Sequence, residues 1–221
     1  MAGGLNPGVG MTSARTRARM VARLRERGIR DERVLAALGA VPRHAFVEEA
    51  LASRAYGDDA LPIGFGQTIS HPYVVARMVE MLLTGKTPGK VLEVGTGCGY
   101  QAAVLAQLFP EVYSVERIKA LLERARRNLV QLRLANLRLV HGDGYAGLEQ
   151  AAPFDAIIVA AAAPSLPPAL ARQLAPGGRM ILPLAAADGG QRLMMIERSG
   201  RGFLEAELDP VRFVRMEAGK A

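Results

Sequence analysis

Val91-Leu92-Glu93-Val94-Gly95-Thr96-Gly97-Cys98-Gly99-Tyr100-Gln101 reads as a buried strand that runs into a glycine-rich turn and then a helix. Glycines at alternate positions let the backbone turn sharply and come close to a ligand, because no side chain stands in the way. The spacing G-x-G-x-G, with an acid two positions before the first glycine, differs from the G-x-G-x-x-G fingerprint of dinucleotide sites. Downstream, strand-like runs at 112–115, 137–140, 156–159 and 179–182 alternate with helical patterns at 101–109, 118–134, 145–151 and 167–174. Such alternation implies right-handed crossovers and an α/β, doubly wound (Rossmann-like) parallel sheet. Beyond Asp188-Gly189-Gly190, the runs 192–197 and 211–214 have no helix between them and are expected to join the sheet edge as antiparallel strands.

Upstream, the patterns at 16–27 and 31–38 are helical, with Asp31 and Glu32 suited to the start of the second helix. Leu61-Pro62-Ile63-Gly64-Phe65-Gly66-Gln67-Thr68-Ile69-Ser70 is punctuated by Gly and Pro without a period, and reads as a long loop of the kind that carries function. Pro72 fits the first position of a helix running to about Leu83, with Val75, Met78, Val79 and Leu82 facing inward. The expected organisation is a disordered lead-in at 1–14, with Met11 or Met20 as alternative starts, and a helical and substrate-loop region at 15–85. The ligand-binding α/β core follows at 86–187, and antiparallel strands at 188–221 complete the same domain.

The chain has 221 residues, half of them apolar, enough to bury a substantial core. Its single cysteine, Cys98, excludes an internal disulfide framework and every multi-cysteine metal site, and it suits the cytoplasm. No apolar run reaches the ~18 residues of a membrane span, and no apolar segment near the N-terminus reads as a secretory signal. A net charge of +7 invites a nucleic-acid reading. However, arginine supplies 24 of the 28 basic residues, acids are interspersed among them, and aromatic residues make up only 5%. Composition or thermal adaptation accounts for the charge, so neither a nucleic-acid nor a membrane partner is expected.

In doubly wound sheets, ligands bind at the carboxyl ends of the strands near the point where strand order reverses. Glu116 ends the second core strand, where a carboxylate could accept hydrogen bonds from both ribose hydroxyls of a nucleoside; a solvated strand end is the alternative. Asp143, in His141-Gly142-Asp143-Gly144, could meet an adenine amino group or simply cap a turn. These strand ends outline a site for an adenosine-containing ligand without a pyrophosphate clamp, and S-adenosyl-L-methionine fits the outline.

The chain resembles the protein-L-isoaspartate (D-aspartate) O-methyltransferases. The resemblance is carried by VPRHAFV (41–47), LPIGFGQTISHPYVVARM (61–78), VLEVGTGCGYQAAVLA (91–106), VYSVERI (112–118), HGDG (141–144), APFDAIIV (152–159), GGRMILPL (177–184) and PVRFV (210–214). It implies a class I S-adenosylmethionine-dependent methyltransferase, with S-adenosyl-L-homocysteine as product and no metal. Isoaspartyl proteins and peptides would be the substrates, and a monomer is expected. It also implies that Ser70 is the active-site residue and that Thr68, Ile69 and Ser70 border cofactor and substrate. Glu93, Gly95 and Gly97 would hold the methionine end, Glu116 the ribose, and Asp143 and Gly144 the adenine. Two positions depart from the bacterial pattern: His71 stands where Gln is usual, and Ala160 where Thr is usual.

An isoaspartyl α-carboxylate, with a pKa near ~4, is ionised at neutral pH and needs no general base. The work left to the protein is positioning and exclusion of water. Ile63, Ser70, Val211, Phe213 and Val214 are expected to meet the substrate, with 210–214 holding an extended peptide through main-chain hydrogen bonds. One alternative is a nucleic-acid methyltransferase, but the strand at 156–159 runs into Ala160-Ala161-Ala162-Ala163-Pro164 and lacks the Asn/Asp-Pro-Pro-aromatic segment of amino-methylating enzymes. The other is a protein that binds S-adenosylmethionine without catalysis, against which Ser70, Glu116 and Asp143 argue.

Overall fold

Ser13 stops the chain from entering α1 (Ala14–Glu26) a residue earlier, its hydroxyl accepting from Thr16 N at 3.3 Å, and Asp31 caps α2 (Glu32–Ala40) in the same way. The computed structural model describes residues 10–85 and 87–221. Of the expected disordered lead-in, residues 1–9 lie outside the described residues. Residues 10–14 are ordered instead, as a 3-10 turn and the capped start of α1.

The stretch read as a loop at 61–70 is a hairpin, β1 (Leu61–Gly64) paired antiparallel with β2 (Gln67–Ile69). Its alternation is hidden because Pro62, Gly64 and Gly66 occupy the outward positions, while Leu61, Ile63 and Ile69 are buried. Gly64, Phe65 and Gly66 all take positive φ at its tip. Then follows α3 (Pro72–Leu83), with Val75, Met78, Val79 and Leu82 buried as the spacing predicts.

Seven strands form the main sheet: β3 (Lys90–Val94), β4 (Glu111–Glu116), β5 (Leu137–His141), β6 (Phe154–Val159), β7 (Leu174–Ala185), β8 (Gln191–Ser199) and β9 (Gly202–Pro210). Their order is β5-β4-β3-β6-β7-β8-β9, parallel from β5 to β7 and antiparallel across β8 and β9. The sheet grows outward from β3 to β5 and then returns to the other side of β3 with β6, so strand order reverses between β3 and β6. Crossovers are made by α4 (Tyr100–Leu108), α5 (Lys119–Leu129) and α6 (Pro168–Gln173). Residues alternate across the sheet: Val91 joins the core beneath the N-terminal helices, while Leu92 and Val94 join the core on the opposite face.

Three other expectations are corrected. The helix over 118–134 ends at Leu129 and a 3-10 turn, with Arg133 at φ 48°. No α-helix forms at 145–151. Gly147 takes φ 65° against the Gln173 side chain, whose amide accepts from Leu148 N and donates to Ala146 O, so this segment is held as turns on α6. The last edge strand is Gly202–Pro210, and 211–214 is irregular because Gln191 engages both Phe213 N and Phe213 O through its side chain. The chain then crosses the end of β6, Ala162 N donating to Val214 O and Met216 N to Ala162 O, each at 2.8 Å.

Glu80 on α3 holds the N-terminal helices to the sheet, its Oε1 accepting from Arg30 N at 2.6 Å and Asp31 N at 2.9 Å. Glu80→Leu leaves both donors unpaired and is expected to lower stability by about 2–4 kcal/mol. Urea unfolding would show this as a lower midpoint at unchanged slope.

Candidate active site

At the carboxyl end of β3 its two neighbours part. Gly95 N still donates to Val115 O on β4, and Ala160 N, beyond β6, donates to Val94 O, each at 2.8 Å. Past that point the glycine turn lifts off the sheet, with Gly95 and Gly99 at φ 95° and 91°, where L side chains are strained. A Cβ on Gly97 would stand 3.1 Å from Ile63 Cδ1, so the bare turn leaves room for the hairpin to close over it. Between turn, hairpin, β4 and the segment after Phe213 lies a cavity with about 870 Å³ of free space.

Most of the residues expected to form the site line this cavity: Ile63, Thr68, Ile69, Ser70, Gly95, Gly97, Glu116, Gly144 and Val214. Glu116 is only 5% exposed. Its Oε2 accepts from Gly97 N at 2.8 Å and its Oε1 from Ile118 N at 2.9 Å. Each oxygen keeps a free lone pair, so the carboxylate is fixed yet able to accept from a vicinal diol.

Glu93 lies beneath the turn and outside the cavity wall, fully buried. Ser114 Oγ donates to its Oε2 and is joined to Thr96 Oγ1 at 2.6 Å, so the turn rests on a buried chain of polar groups. Burial pushes Glu93 up to about 8, with Ser114 and Gln101 pulling the other way. Asp143 is also outside the wall: its Oδ1 accepts from Tyr145 N at 2.9 Å and its Oδ2 from Gly219 N at 2.8 Å, which makes it a turn-former and a tether for the C-terminal segment. Gly144 forms the wall there, where a Cβ would stand 2.7 Å from Val94 Cγ1.

A smaller recess adjoins the cavity, and Thr68, Ser70, Ala160 and Val214 belong to both walls. Phe213, Arg212 and His71 line the far side of the recess, while Val211 faces a further hollow beside Tyr73 and Asp209. His71 caps α3, its Nδ1 accepting from Tyr73 N at 3.0 Å. Burial, then Arg27 and Arg43, hold its pKa below the usual histidine value.

Sequence reasoning missed Gln101 and Met216 in the cavity wall. Gln101 carried a readable signal, as a polar residue at the start of an otherwise apolar helix; its buried Nε2 makes no hydrogen bond of ordinary geometry and acts on the Glu93 carboxyl. Met216 carried none, because only the path of the C-terminal segment brings it there. The fixed acceptor Glu116 and the side-chain-free wall at Gly97 and Gly144 fit an adenosine-containing cofactor with an extended tail. Among the described residues no group of His, Cys, Asp or Glu could hold a metal ion.

Fold and cavity together define a class I methyltransferase. The family model for protein-L-isoaspartate(D-aspartate) O-methyltransferase matches residues 15–221. The chain is 62% identical to the protein-L-isoaspartate O-methyltransferase of Dechloromonas aromatica, over 96% of this chain and 98% of that protein. Among solved structures, it resembles a protein-L-isoaspartate O-methyltransferase at TM-score 0.82 and 28% identity, over 91% of this chain and 66% of that one. It also resembles a Plasmodium falciparum β-aspartate methyltransferase in complex with S-adenosyl-L-homocysteine, at TM-score 0.77 and 28% identity, over 91% of this chain and 98% of that one. The chain belongs to the protein-L-isoaspartate(D-aspartate) O-methyltransferase family.

Glu93 makes stability depend on pH. Unfolded, it ionises above 4.5, and folded, above about 8. Its contribution is therefore fully present below the lower value and lost as pH rises through the upper one. Glu93→Gln, neutral throughout, is expected to flatten the fall in unfolding free energy across this window in cofactor-free protein. An unchanged slope would show that the carboxyl is ionised in the fold.

Proposed function

We propose that this chain repairs damaged proteins by methylating the free α-carboxylate of L-isoaspartyl, and also D-aspartyl, residues with S-adenosyl-L-methionine. The observation that carries this reading is the position of Ser70 in the wall shared by the large cavity and the small recess. A group there can touch a substrate in the recess while bordering a cofactor in the cavity. In this reading residues 15–85 bring the substrate side, 86–187 hold the cofactor, and 188–221 close the site.

S-adenosylmethionine, when bound, supplies a methyl group activated by the sulfonium charge. Glu116 would hold the ribose, Gly95 and Gly97 would admit the methionine end, Gly144 would face the adenine, and Thr68 and Ile69 would border both ligands. Glu93 and Asp143 act on this site through the turns they support. The substrate carboxylate is ionised at neutral pH, so no residue serves as a base. Among the described residues the Ser70 hydroxyl has no partner, which leaves it able to donate to one carboxylate oxygen while the other attacks. Holding the reacting groups in line can supply on the order of 7–11 kcal/mol, and the hairpin with Ile63 excludes water.

Recognition of many damaged sequences calls for main-chain contacts. Gln191 occupies Val211 N, Phe213 N and Phe213 O, and Ala162 occupies Val214 O, which leaves Arg212 N, Arg212 O and Val214 N open to an extended peptide. The following backbone nitrogen then attacks the methyl ester and expels methanol, closing a succinimide that water opens partly to normal aspartate. A monomer in the cytoplasm, with neither nucleic acid nor membrane as partner, completes the reading; the single cysteine supports the address. Among the described residues no helix is long and apolar enough to cross a membrane.

Labelled S-adenosylmethionine is expected to mark an isoaspartyl peptide, but neither its aspartyl twin nor RNA, and the label should leave as methanol in mild base. Label on RNA, or on nothing, would refute the reading. Ser70→Ala is expected to slow transfer by roughly 10- to 100-fold while S-adenosylhomocysteine still binds as before in calorimetry. Loss of cofactor affinity as the main effect would remove Ser70 from the reaction.

A further inference from the structure

Arg43 is fully buried, yet among the described residues it makes no ion pair. Its Nε donates to Ala55 O at 2.8 Å, and its Nη2 donates to Ser70 O at 2.7 Å. Its Nη1 makes no hydrogen bond of ordinary geometry. The guanidinium carbon sits 4.8 Å from the centre of the Tyr100 ring, and the buried Tyr100 hydroxyl, without a hydrogen bond of ordinary geometry, interacts with the guanidinium as a neutral group. Tyr100 and Cys98 belong to the cavity wall, and burial pushes them up to about 12 and about 11, so both stay neutral at pH 7. Arg43 is thus a cation stripped of water, with no anion beside it.

A buried charge without a counter-charge is expensive to maintain. A tether between two carbonyls could be made from neutral donors, so the charge itself calls for an explanation. The guanidinium fork fixes the peptide plane that follows Ser70, and with it the direction of the Ser70 side chain. Its field also reaches the substrate recess, where it helps keep the His71 ring neutral. The proposed substrate brings a carboxylate to that recess and would supply the missing negative charge.

We propose that Arg43 is a positioning residue for methyl transfer: it aims the Ser70 hydroxyl at the substrate carboxylate, and its unneutralised charge, added to that of Arg212 in the recess wall, favours an anion there. This rests on the isoaspartyl reading above.

The test is a double-mutant cycle in the full-length protein with Arg43→Lys, Arg43→Gln and Ser70→Ala. Arg43→Lys keeps the charge and loses the fork, so kcat is expected to fall on the order of 10-fold with KM for the isoaspartyl peptide nearly unchanged. Arg43→Gln loses both, and KM rises as well. In the Ser70→Ala background, Arg43→Lys is expected to cost little further in kcat, because the group it positions is gone. Losses that multiply independently, or weaker S-adenosylhomocysteine binding in both Arg43 variants, would assign Arg43 a merely structural role and overturn the proposal.

Should the variants fail to fold, the unmutated protein decides. With S-adenosylhomocysteine bound, the Arg43 guanidinium NMR signals are expected to move on addition of isoaspartyl peptide and not of aspartyl peptide; signals that stay still overturn the proposal. Unmutated protein that methylates no isoaspartyl peptide would instead overturn the reading beneath it.

Discussion

The parting of β4 and β6 at the end of β3 is the constraint on which the molecule depends. Up to Val94 the central strand is paired on both sides, with Val115 and with Val159. Because the next crossovers leave in opposite directions, nothing fills the gap beyond it. The glycine turn enters this gap, Glu116 reaches the turn from β4, and Ala160 meets it from β6. The hairpin and the C-terminal segment then roof the space. The cavity is thus a consequence of strand order, and its side chains are refinements of an opening that the topology creates.

Charge within this opening is tightly managed. Glu93, Cys98 and Tyr100 are all held in their neutral forms by burial. The charged residues lie toward the rim and the ligands: Glu116, Arg117, Arg215 and Glu217 line the large cavity, Arg212 lines the recess, and Arg43 is buried behind Ser70. Glu116 on the cofactor side, and Arg212 with Arg43 on the recess side, suit a reaction that brings a carboxylate toward a sulfonium.

The parallel core was legible because its inner strands β3 and β6 are largely apolar and buried on both faces, and α3 because its apolar residues recur with the helical period. The hairpin was hidden by Pro62, Gly64 and Gly66, which break alternation in strands too short to show it. β9 was hidden for another reason: Phe203 and Leu204 are exposed and Glu205 and Glu207 charged, as suits an edge strand that must not pair with other chains. Ser70 and Glu116 were within reach of motif and strand-end reasoning. Asp143 could be placed at its strand end but not oriented, because its partner Gly219 lies far along the chain. Arg43 was equally out of reach, since neither its burial nor its bond to Ser70 leaves a trace in local pattern.

The double engagement of Asp143 has a chemical meaning beyond turn geometry. Isoaspartate forms when a backbone nitrogen attacks the side-chain carboxyl carbon of the preceding residue, and glycine, lacking Cβ, offers the least hindered nitrogen. This chain contains two such Asp-Gly steps, Asp143-Gly144 and Asp188-Gly189. At the first, both carboxylate oxygens are held, by Tyr145 N and Gly219 N; at the second, they are held by Gly190 N and Arg192. A carboxylate held at both oxygens must give up these bonds before it can swing onto the neighbouring nitrogen. The same hydrogen bonds that shape these turns therefore also oppose, in the repair protein itself, the geometry that makes its substrate.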